Sequence, residues 1–286
     1  YLTTRRAGLL GLSDRPAVYV GFAPSTCMET VRHHGRSTAY RYDDRSDDAE
    51  PGICCLHGSG TSQAIWRDQF RLATTTPVAA VDLSGHGDSE DIDAEPGYET
   101  LSAYADDAAA VVAETGCSVL VGHSLGGAVA LWLALERDLA IDGLVLTGTG
   151  PRLPVLADLL EWLDDDFERA IDFLQEPDRL FHDPDPERRE ESIDQLRATG
   201  QAVARRDFRT ADRFNVIGRL GEVACPTAAI VGEYDQLTPL RYHQHLAEEL
   251  PDCSLLRIQA AAHLAMVEQP QAFTAALSVV LDRITR

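Results

Sequence analysis

The sequence contains no lysine: all 25 basic residues are arginine, against 46 aspartate and glutamate residues. A surface with a net charge of −21 repels phosphates, so we expect no nucleic-acid partner. At low salt, charges of one sign destabilise the compact state, and a Debye length of about 3 Å at 1 M salt screens that repulsion. The composition predicts a halophilic protein, with an acidic mesophile protein from a GC-rich genome as the alternative.

Long apolar runs are also absent. The longest candidate, Ala128–Leu135, has eight residues, whereas a membrane span needs roughly 18. A faint twin-arginine pattern at Arg5-Arg6 is followed by too short an apolar stretch to be a signal. We therefore expect a cytoplasmic protein without a membrane partner.

Cysteine pairs with metal-ligand spacing are missing, since no CxxC pattern occurs among the six cysteines. This pattern favours free, buried thiols in a reducing compartment over disulfides or a metal site. The cysteines are Cys27, Cys54, Cys55, Cys117, Cys225 and Cys253.

Short apolar segments alternate with helical ones along most of the chain. This alternation predicts an α/β fold with a mostly parallel central sheet and helices on both faces. The predicted strands are Ser37–Asp43, Gly52–Leu56, Val78–Leu83, Ser118–Gly122, Leu144–Thr147, Thr227–Val231 and Leu255–Gln259. The predicted helices are Leu101–Glu114, Leu125–Arg137, Arg241–Leu250 and Gln271–Ile284.

Three regions follow from the same pattern. Residues 1–27 lack periodicity and precede a start-like Met28, so we expect an N-terminal extension that is not part of the fold. Residues 28–150 and 223–286 form the predicted core. Residues 151–222 carry no strand pattern and are expected to be a helical lid, with helices at Val155–Leu163, Phe167–Leu174 and Arg188–Ala204.

The segment Gly122-His123-Ser124-Leu125-Gly126 fits G-x-S-x-G. It follows a predicted strand and opens a predicted helix, as a nucleophile elbow requires. The flanking glycines let strand and helix approach closely, and the helix N-terminus adds positive partial charge. We interpret Ser124 as a nucleophile; the alternative is a loop of small residues.

A nucleophilic serine needs a base and an acid that orients the base. His263 follows the last strand in a loop from which it could reach Ser124, and Asp235 follows the preceding predicted strand. Glu233 is the alternative acid. The other histidines after Ser124 are less well placed, in the lid or within a helix: His182, His243 and His245.

Two backbone N–H groups are needed to stabilise an oxyanion. Leu125 directly follows the serine, and Ser59 lies in a glycine-rich loop after an earlier strand. An ordinary glycine turn is the alternative for that loop. His86 is interpreted as a residue that stabilises its turn rather than a catalytic one.

Taken together, the motifs resemble those of the α/β-hydrolase superfamily over about residues 35–286. They are His57-Gly58-Ser59-Gly60, Asp82–Ser89, Gly122–Gly127, and Gly232–Asp235 with His263. The resemblance implies acyl transfer on a small-molecule acyl substrate without a cofactor or metal. Haloalkane dehalogenases and epoxide hydrolases carry aspartate where this chain has Ser124, so those activities are not expected.

The resemblance implies a hydrolase for a small ester, thioester or lactone. Carbon–carbon bond hydrolysis and cofactor-free perhydrolase or lyase chemistry stay open as alternatives, as does a non-catalytic ligand receptor on the same fold. Apolar lid residues could line a substrate pocket or simply pack the lid: Leu156, Leu159, Trp162, Leu163, Phe167 and Phe173. Three arginines could grip a substrate carboxylate or form a solvated helix face: Arg205, Arg206 and Arg209.

The charge balance predicts that stability depends on salt. Lowering KCl from about 1 M to tens of millimolar should lower the melting temperature and loosen the fold below about 0.5 M, because screening is lost. Circular dichroism across a KCl series measures this. A melting temperature that does not change over the series would favour the mesophile alternative.

Overall fold

Eight strands form one sheet in the order β1-β2-β4-β3-β5-β6-β7-β8. The computed structural model describes residues 27–47 and 51–284. The six strands β4, β3, β5, β6, β7 and β8, adjacent in that order, all run parallel to their neighbours within this group. β2 is antiparallel to both β1 and β4. The predicted mostly parallel sheet is confirmed. The strands are β1 Met28–His33, β2 Arg36–Asp43, β3 Ile53–Leu56, β4 Val78–Val81, β5 Val119–His123, β6 Gly143–Thr147, β7 Thr227–Gly232 and β8 Cys253–Ile258.

Helices cover both faces of the sheet, as predicted. Cys54 belongs to an apolar cluster with Tyr104 and Leu246, whereas its neighbour Cys55 belongs to the opposite cluster with Trp66 and Phe273. Consecutive residues of a strand therefore pack into two different apolar clusters, one on each face of the sheet. The helices are α1 Tyr98–Thr115, α2 Leu125–Glu136, α3 Ala157–Asp165, α4 Phe167–Leu174, α5 Pro186–Thr199, α6 Gln201–Arg213, α7 Leu240–Glu249, α8 Ala265–Glu268 and α9 Pro270–Ile284.

Sequence reasoning missed the first strand. It began the sheet at Ser37–Asp43, but β1 precedes that segment and pairs with it through a tight turn at His34 and Gly35, both with positive φ. β1 is polar and half-exposed at the sheet edge, so it lacks an apolar signal. Residues 1–26 lie outside the described part of the chain, and the predicted extension therefore stays a prediction.

Four helices, α3 to α6, separate β6 from β7. The predicted continuous helix Arg188–Ala204 is wrong, because Gly200 has φ 83° and ψ 157° and divides α5 from α6. An isolated antiparallel bridge between Arg152 and Asn215 closes the base of this helical insertion.

All six cysteines are free. Cys54, Cys55 and Cys117 are buried as expected, but Cys27 is exposed, and the remaining two are half-buried. Across residues 27–47 and 51–284, no helix has both the length and the hydropathy to span a bilayer.

The contact between β3 and α2 depends on a glycine. A Cβ added at Gly126 would lie 2.3 Å from the carbonyl oxygen of Leu56 and 2.5 Å from that of His57. Backbone atoms cannot move aside without disturbing β3. This position therefore requires glycine, for steric reasons alone.

We expect Gly126→Ala to lower the free energy of unfolding by about 1–3 kcal/mol through overpacking. Chemical denaturation measures the change. Gly218→Ala is the matched control, since a Cβ there meets nothing within 4 Å, and its effect should stay below about 1 kcal/mol. Equal destabilisation by the two substitutions would contradict the steric account.

Candidate active site

Ser124 sits on a strained turn between β5 and α2. Its φ of 52° and ψ of −117° lie in a region that side chains disfavour, at a cost of about 1–3 kcal/mol. Three hydrogen bonds hold the turn: the Ser124 N–H donates to the Thr147 carbonyl at 3.0 Å, and the Ser124 carbonyl accepts from Gly127 N–H at 3.0 Å and Thr149 Oγ1 at 2.8 Å. The turn presents the serine at the N-terminus of α2.

A buried histidine supports this turn from below. The Nε2 of His243 accepts the Thr149 N–H at 3.2 Å. Burial lowers the pKa of His243 to about 4, so the ring is neutral near pH 7 and can accept. The sequence left open whether His243 is packed or solvated. It is packed, and it bonds directly to Thr149, the residue whose hydroxyl donates to the Ser124 carbonyl.

His263 and Asp235 form a buried pair. His263 Nδ1 lies 2.9 Å from Asp235 Oδ2, which also accepts from Thr238 Oγ1 at 2.7 Å. The other oxygen, Oδ1, accepts the N–H groups of Leu237 and Thr238. Burial would raise the pKa of Asp235, but the interactions with His263 and Thr238 outweigh it and lower that pKa to about 2. Asp235 is therefore an anion throughout the neutral range.

The alternative acid lies elsewhere. Glu233 accepts the Ala260 N–H at 3.4 Å and pairs loosely with Arg257 at 3.8 Å. Among the described residues, Asp235 rather than Glu233 contacts His263. His182, another histidine considered from the sequence, pairs with Asp178 at 2.6 Å.

Ser124 and His263 line one cavity of about 400 Å³, and Ser59 lines it too. The helical insertion supplies much of its apolar wall. Leu156, Leu159 and Phe173 line the cavity as expected, together with these further apolar residues: Leu153, Pro154, Val155, Leu174, Leu180, Phe208, Ala211 and Leu237.

Three of the six candidate pocket residues, Trp162, Leu163 and Phe167, are not among those that line this cavity, and Leu163 is buried in an apolar cluster instead. Trp162 instead packs edge-on against Phe173 at 5.3 Å between ring centroids, and the Arg169 guanidinium carbon lies over the Trp162 ring, 4.3 Å from its centroid. Phe167 packs against the buried apolar cluster on the Cys55 face of the sheet, which also contains Trp66 and Phe273. The helical periodicity of the sequence indicates which side of a helix is apolar. Only the tertiary structure decides which of these apolar side chains line the cavity and which pack against other helices.

The loop after β3 orients the Ser59 N–H. The Gly58 carbonyl lies 2.9 Å from His57 Nδ1 and accepts Thr61 Oγ1 at 2.9 Å. His57 Nε2 accepts the Leu83 N–H, so the proton is on Nδ1; burial lowers the pKa of His57 to about 3, which keeps the ring neutral. In a trans peptide the N–H points opposite to the C=O, so Ser59 N–H points away from these donors.

Asp207 of α6 joins the insertion to that same loop. Its carboxylate accepts from Gly60 N–H at 3.0 Å, His86 Nε2 at 2.8 Å and Tyr104 Oη at 2.6 Å. His86 Nδ1 lies 3.2 Å from the carbonyl of Leu83, so both ring nitrogens face acceptors. Burial alone would lower the pKa of His86 and raise that of Asp207, but their mutual attraction reverses both shifts. A buried ion pair therefore anchors α6.

Glu268 makes the equivalent connection on the His263 side. One carboxylate oxygen accepts the N–H groups of His182 and Asp183, at 2.8 and 2.7 Å, and the other accepts Ala262 N–H at 2.8 Å. The N–H of His263 itself donates to the carbonyl of Arg179 at 3.2 Å. The insertion is thus hydrogen-bonded to both loops that flank Ser124.

The three arginines singled out from the sequence do not line the cavity. Arg206 is not on a solvated face: it is 8% exposed and bonds to Asp91 at 2.6 Å. Arg205 and Arg209 both pair with Asp164. Their cationic groups are already engaged, because the acidic excess of the chain supplies a partner for each.

Two other arginines, Arg179 and Arg241, line the cavity. Sequence reasoning missed them. The only available signal was their position, Arg241 six residues after Asp235 and Arg179 in a loop of the insertion. In the described part of the chain, no group of three or more histidine, cysteine or acidic side chains could hold a metal ion.

The fold and these motifs define an α/β hydrolase. The sequence pattern of the alpha/beta hydrolase family matches residues 55–277, and the chain belongs to that family of enzymes.

Several known proteins that are similar to the chain are esterases. It is 30% identical to a pimeloyl-[acyl-carrier protein] methyl ester esterase of Neisseria meningitidis serogroup C, over 80% of this chain and 92% of that protein. It also resembles the solved structure of a thermophilic esterase, with 30% identity and a TM-score of 0.79 over 90% of this chain and 98% of the other. An esterase from Thermogutta terrifontis has 27% identity and a TM-score of 0.75, over 91% and 98% of the two chains.

We expect Asp207→Asn to destabilise the protein by about 3–5 kcal/mol, because it leaves the buried His86 cation without its counter-charge. Chemical denaturation measures this, and kcat/KM should fall as the Gly60 anchor weakens. The raised pKa of His86 and the lowered pKa of Asp207 put the full contribution of the pair between their ordinary values of 6.5 and 3.8. It is lost as pH rises through the raised value or falls through the lowered one.

Glu191→Gln is the control for this change. Glu191 of α5 pairs with Arg67, and the two side chains are 46% and 41% exposed, so its removal should cost at most about 1 kcal/mol. If Asp207→Asn were no more destabilising than Glu191→Gln between pH 4 and 6.5, the anchoring role of Asp207 would be wrong.

Proposed function

We propose that the chain is a serine hydrolase that cleaves a small ester, thioester or lactone through an acyl-enzyme. Ser124 is the nucleophile, His263 the general base and Asp235 the acid that orients it. The observation that carries this proposal is the buried contact of His263 with Asp235 beside a cavity that Ser124 also lines. The methyl ester esterase activity in the name of the Neisseria relative supports ester cleavage.

Acylation begins with proton transfer from Ser124 Oγ to His263. Because Nδ1 of the ring is paired with Asp235, the proton goes to Nε2. Asp235, with a pKa of about 2, stays negative and stabilises the imidazolium that forms. Ser124 Oγ bonds to the carbonyl carbon, and His263 returns the proton to the leaving alcohol.

The negative oxygen of the tetrahedral intermediate is accepted by the N–H groups of Leu125 and Ser59. Leu125 N–H is the first donor of α2, where the helix dipole adds positive partial charge. Ser59 N–H is held by the bonds of the Gly58 carbonyl. Water then attacks the acyl-enzyme, with His263 as base, and releases the acid.

The helical insertion acts as the lid of this site and selects the substrate. Its side chains form most of the apolar wall of the cavity. A volume of about 400 Å³ suits a small acyl compound. Its bonds through Asp207 and Glu268 hold it to both flanking loops.

Ser124→Ala should abolish hydrolysis of a short-chain p-nitrophenyl ester and labelling by a fluorophosphonate. His263→Ala should cost nearly as much, on the order of 10⁶-fold in kcat, because members of a triad act as a unit. Asp235→Asn should cost on the order of 10⁴-fold. Steady-state kinetics on folded variants, checked by circular dichroism, measures these losses.

Glu233→Gln is the matched control, since it removes a carboxylate two residues from Asp235 that does not contact His263. It should keep activity within a few-fold. Wild-type turnover by Ser124→Ala would refute the proposal. An inactive Glu233→Gln beside a fully active Asp235→Asn would move the acid to Glu233.

A further inference from the structure

We propose that the cavity has a carboxylate-binding subsite formed by Arg179 and Arg241, and that the enzyme acts on half-esters of aliphatic dicarboxylic acids. The inference rests on the proposed ester hydrolysis at Ser124. The reaction adds water to the ester, so that one product is the dicarboxylate and the other is the alcohol.

The first observation is the sign of charge in the cavity wall. The residues that line it include two arginines and no aspartate or glutamate, in a chain with 46 acidic and 25 basic residues. Most of the remaining wall is apolar, so the wall itself offers neither arginine an anionic partner. The cavity therefore has the opposite charge to the protein as a whole.

Arg179 is held in a defined orientation. Its guanidinium carbon lies over the ring of Phe173, 3.7 Å from the centroid, and its Nε donates to the exposed Glu176 at 3.3 Å. That bond uses one of five N–H donors, and the terminal nitrogens keep the fork geometry that matches a carboxylate. Because stacking already restricts the side chain, less conformational entropy is lost when a carboxylate binds.

Arg241 is the less constrained member of the pair. It is exposed and lies 5.0 Å over the ring of Tyr242. Within residues 27–47 and 51–284, no carboxylate oxygen lies within 4 Å of its guanidinium, in contrast to Arg205, Arg206 and Arg209. Being both exposed and part of the lining, it sits where the cavity meets solvent.

Both arginines are attached to the segments that hold His263. The carbonyl of Arg179 accepts the His263 N–H, and Arg241 lies six residues after Asp235, in the first turn of α7. Ser124 and both arginines line the same cavity, so an ester carbonyl at Ser124 and a carboxylate at the arginines would share it, and leucines of the same wall offer apolar surface to an aliphatic chain.

The net charge of −21 does not prevent this binding. At about 1 M salt the Debye length is roughly 3 Å, so distant acids are screened while a direct guanidinium–carboxylate contact is not. Charge preference at the site is then decided by the side chains that line it.

The test uses monomethyl and dimethyl esters of succinic, glutaric and adipic acid at about 1 M KCl. For the wild type, kcat/KM of the preferred monomethyl ester should exceed that of its dimethyl ester by about tenfold or more. The double variant Arg179→Gln/Arg241→Gln should lose this advantage. KM for the monomethyl ester should rise about 10- to 100-fold, which is about the range of one or two charged hydrogen bonds. The effect should be on KM rather than kcat, because the carboxylate is remote from the reacting atoms. Activity on the dimethyl ester should stay within about twofold.

Arg197→Gln is the control, because Arg197 also lies in the insertion but pairs with Glu168 and does not line the cavity. It should leave both substrates unaffected. Equal turnover of monomethyl and dimethyl esters by the wild type would overturn the subsite, as would equal losses on both substrates in the double variant. The proposed serine chemistry would survive either result.

A binding measurement tests the carboxylate subsite independently of the proposed hydrolysis. Calorimetry with Ser124→Ala measures affinity for the monomethyl ester without turnover, and the two arginine substitutions should abolish it in that background. If no ester were hydrolysed but this arginine-dependent binding were present, the proposed function would be wrong and the subsite correct. Binding that ignores both arginines would overturn the subsite.

Discussion

The strained turn at Ser124 is the constraint on which the rest of the site depends. A non-glycine residue at φ 52° is unfavourable, and the turn persists because β5, α2 and the loop after β6 hold it from three sides. The close approach of α2 to β3, which leaves no space for a Cβ at Gly126, places the helix N-terminus directly behind the serine. Loops after neighbouring parallel strands then bring Ser59, Asp235 and His263 to the same edge of the sheet.

The helical insertion is built into this arrangement rather than laid over it. Two carboxylates carry the connection: Asp207 of α6 receives bonds from the loop beside Ser59, and Glu268 joins the insertion to the residue before His263. A shift of α6 would therefore disturb the proposed oxyanion donors and the cavity wall together. The structure couples the part that is proposed to select the substrate to the part that is proposed to perform the chemistry.

The distribution of charge in the structure differs from what the acidic composition alone would indicate. Acidic residues dominate the chain, yet in the insertion they pair with arginines, while the cavity wall carries arginine without acid. Buried exceptions such as Asp207 and Asp235 stay ionised because each receives several hydrogen bonds and a histidine partner. Surface acidity and the electrostatics of the site are therefore separate properties of this molecule.

The sequence by itself determined the fold class and the positions proposed for chemistry. Apolar runs alternating with helical segments, and small or polar residues where strands end, are local signals that a parallel sheet brings to one edge. It could not reveal β1, which is a polar edge strand, or the break at Gly200 within a helical pattern.

Only the tertiary structure decided which long-range partners meet. Asp207 and His86 are 121 positions apart, and nothing in the local pattern of either indicates the other. The same holds for the cavity wall, where Leu156 faces the cavity but Trp162 packs against Phe173. Periodicity reports that a side chain is apolar or that a helix has two sides, whereas the identity of the neighbour depends on how separate elements cross.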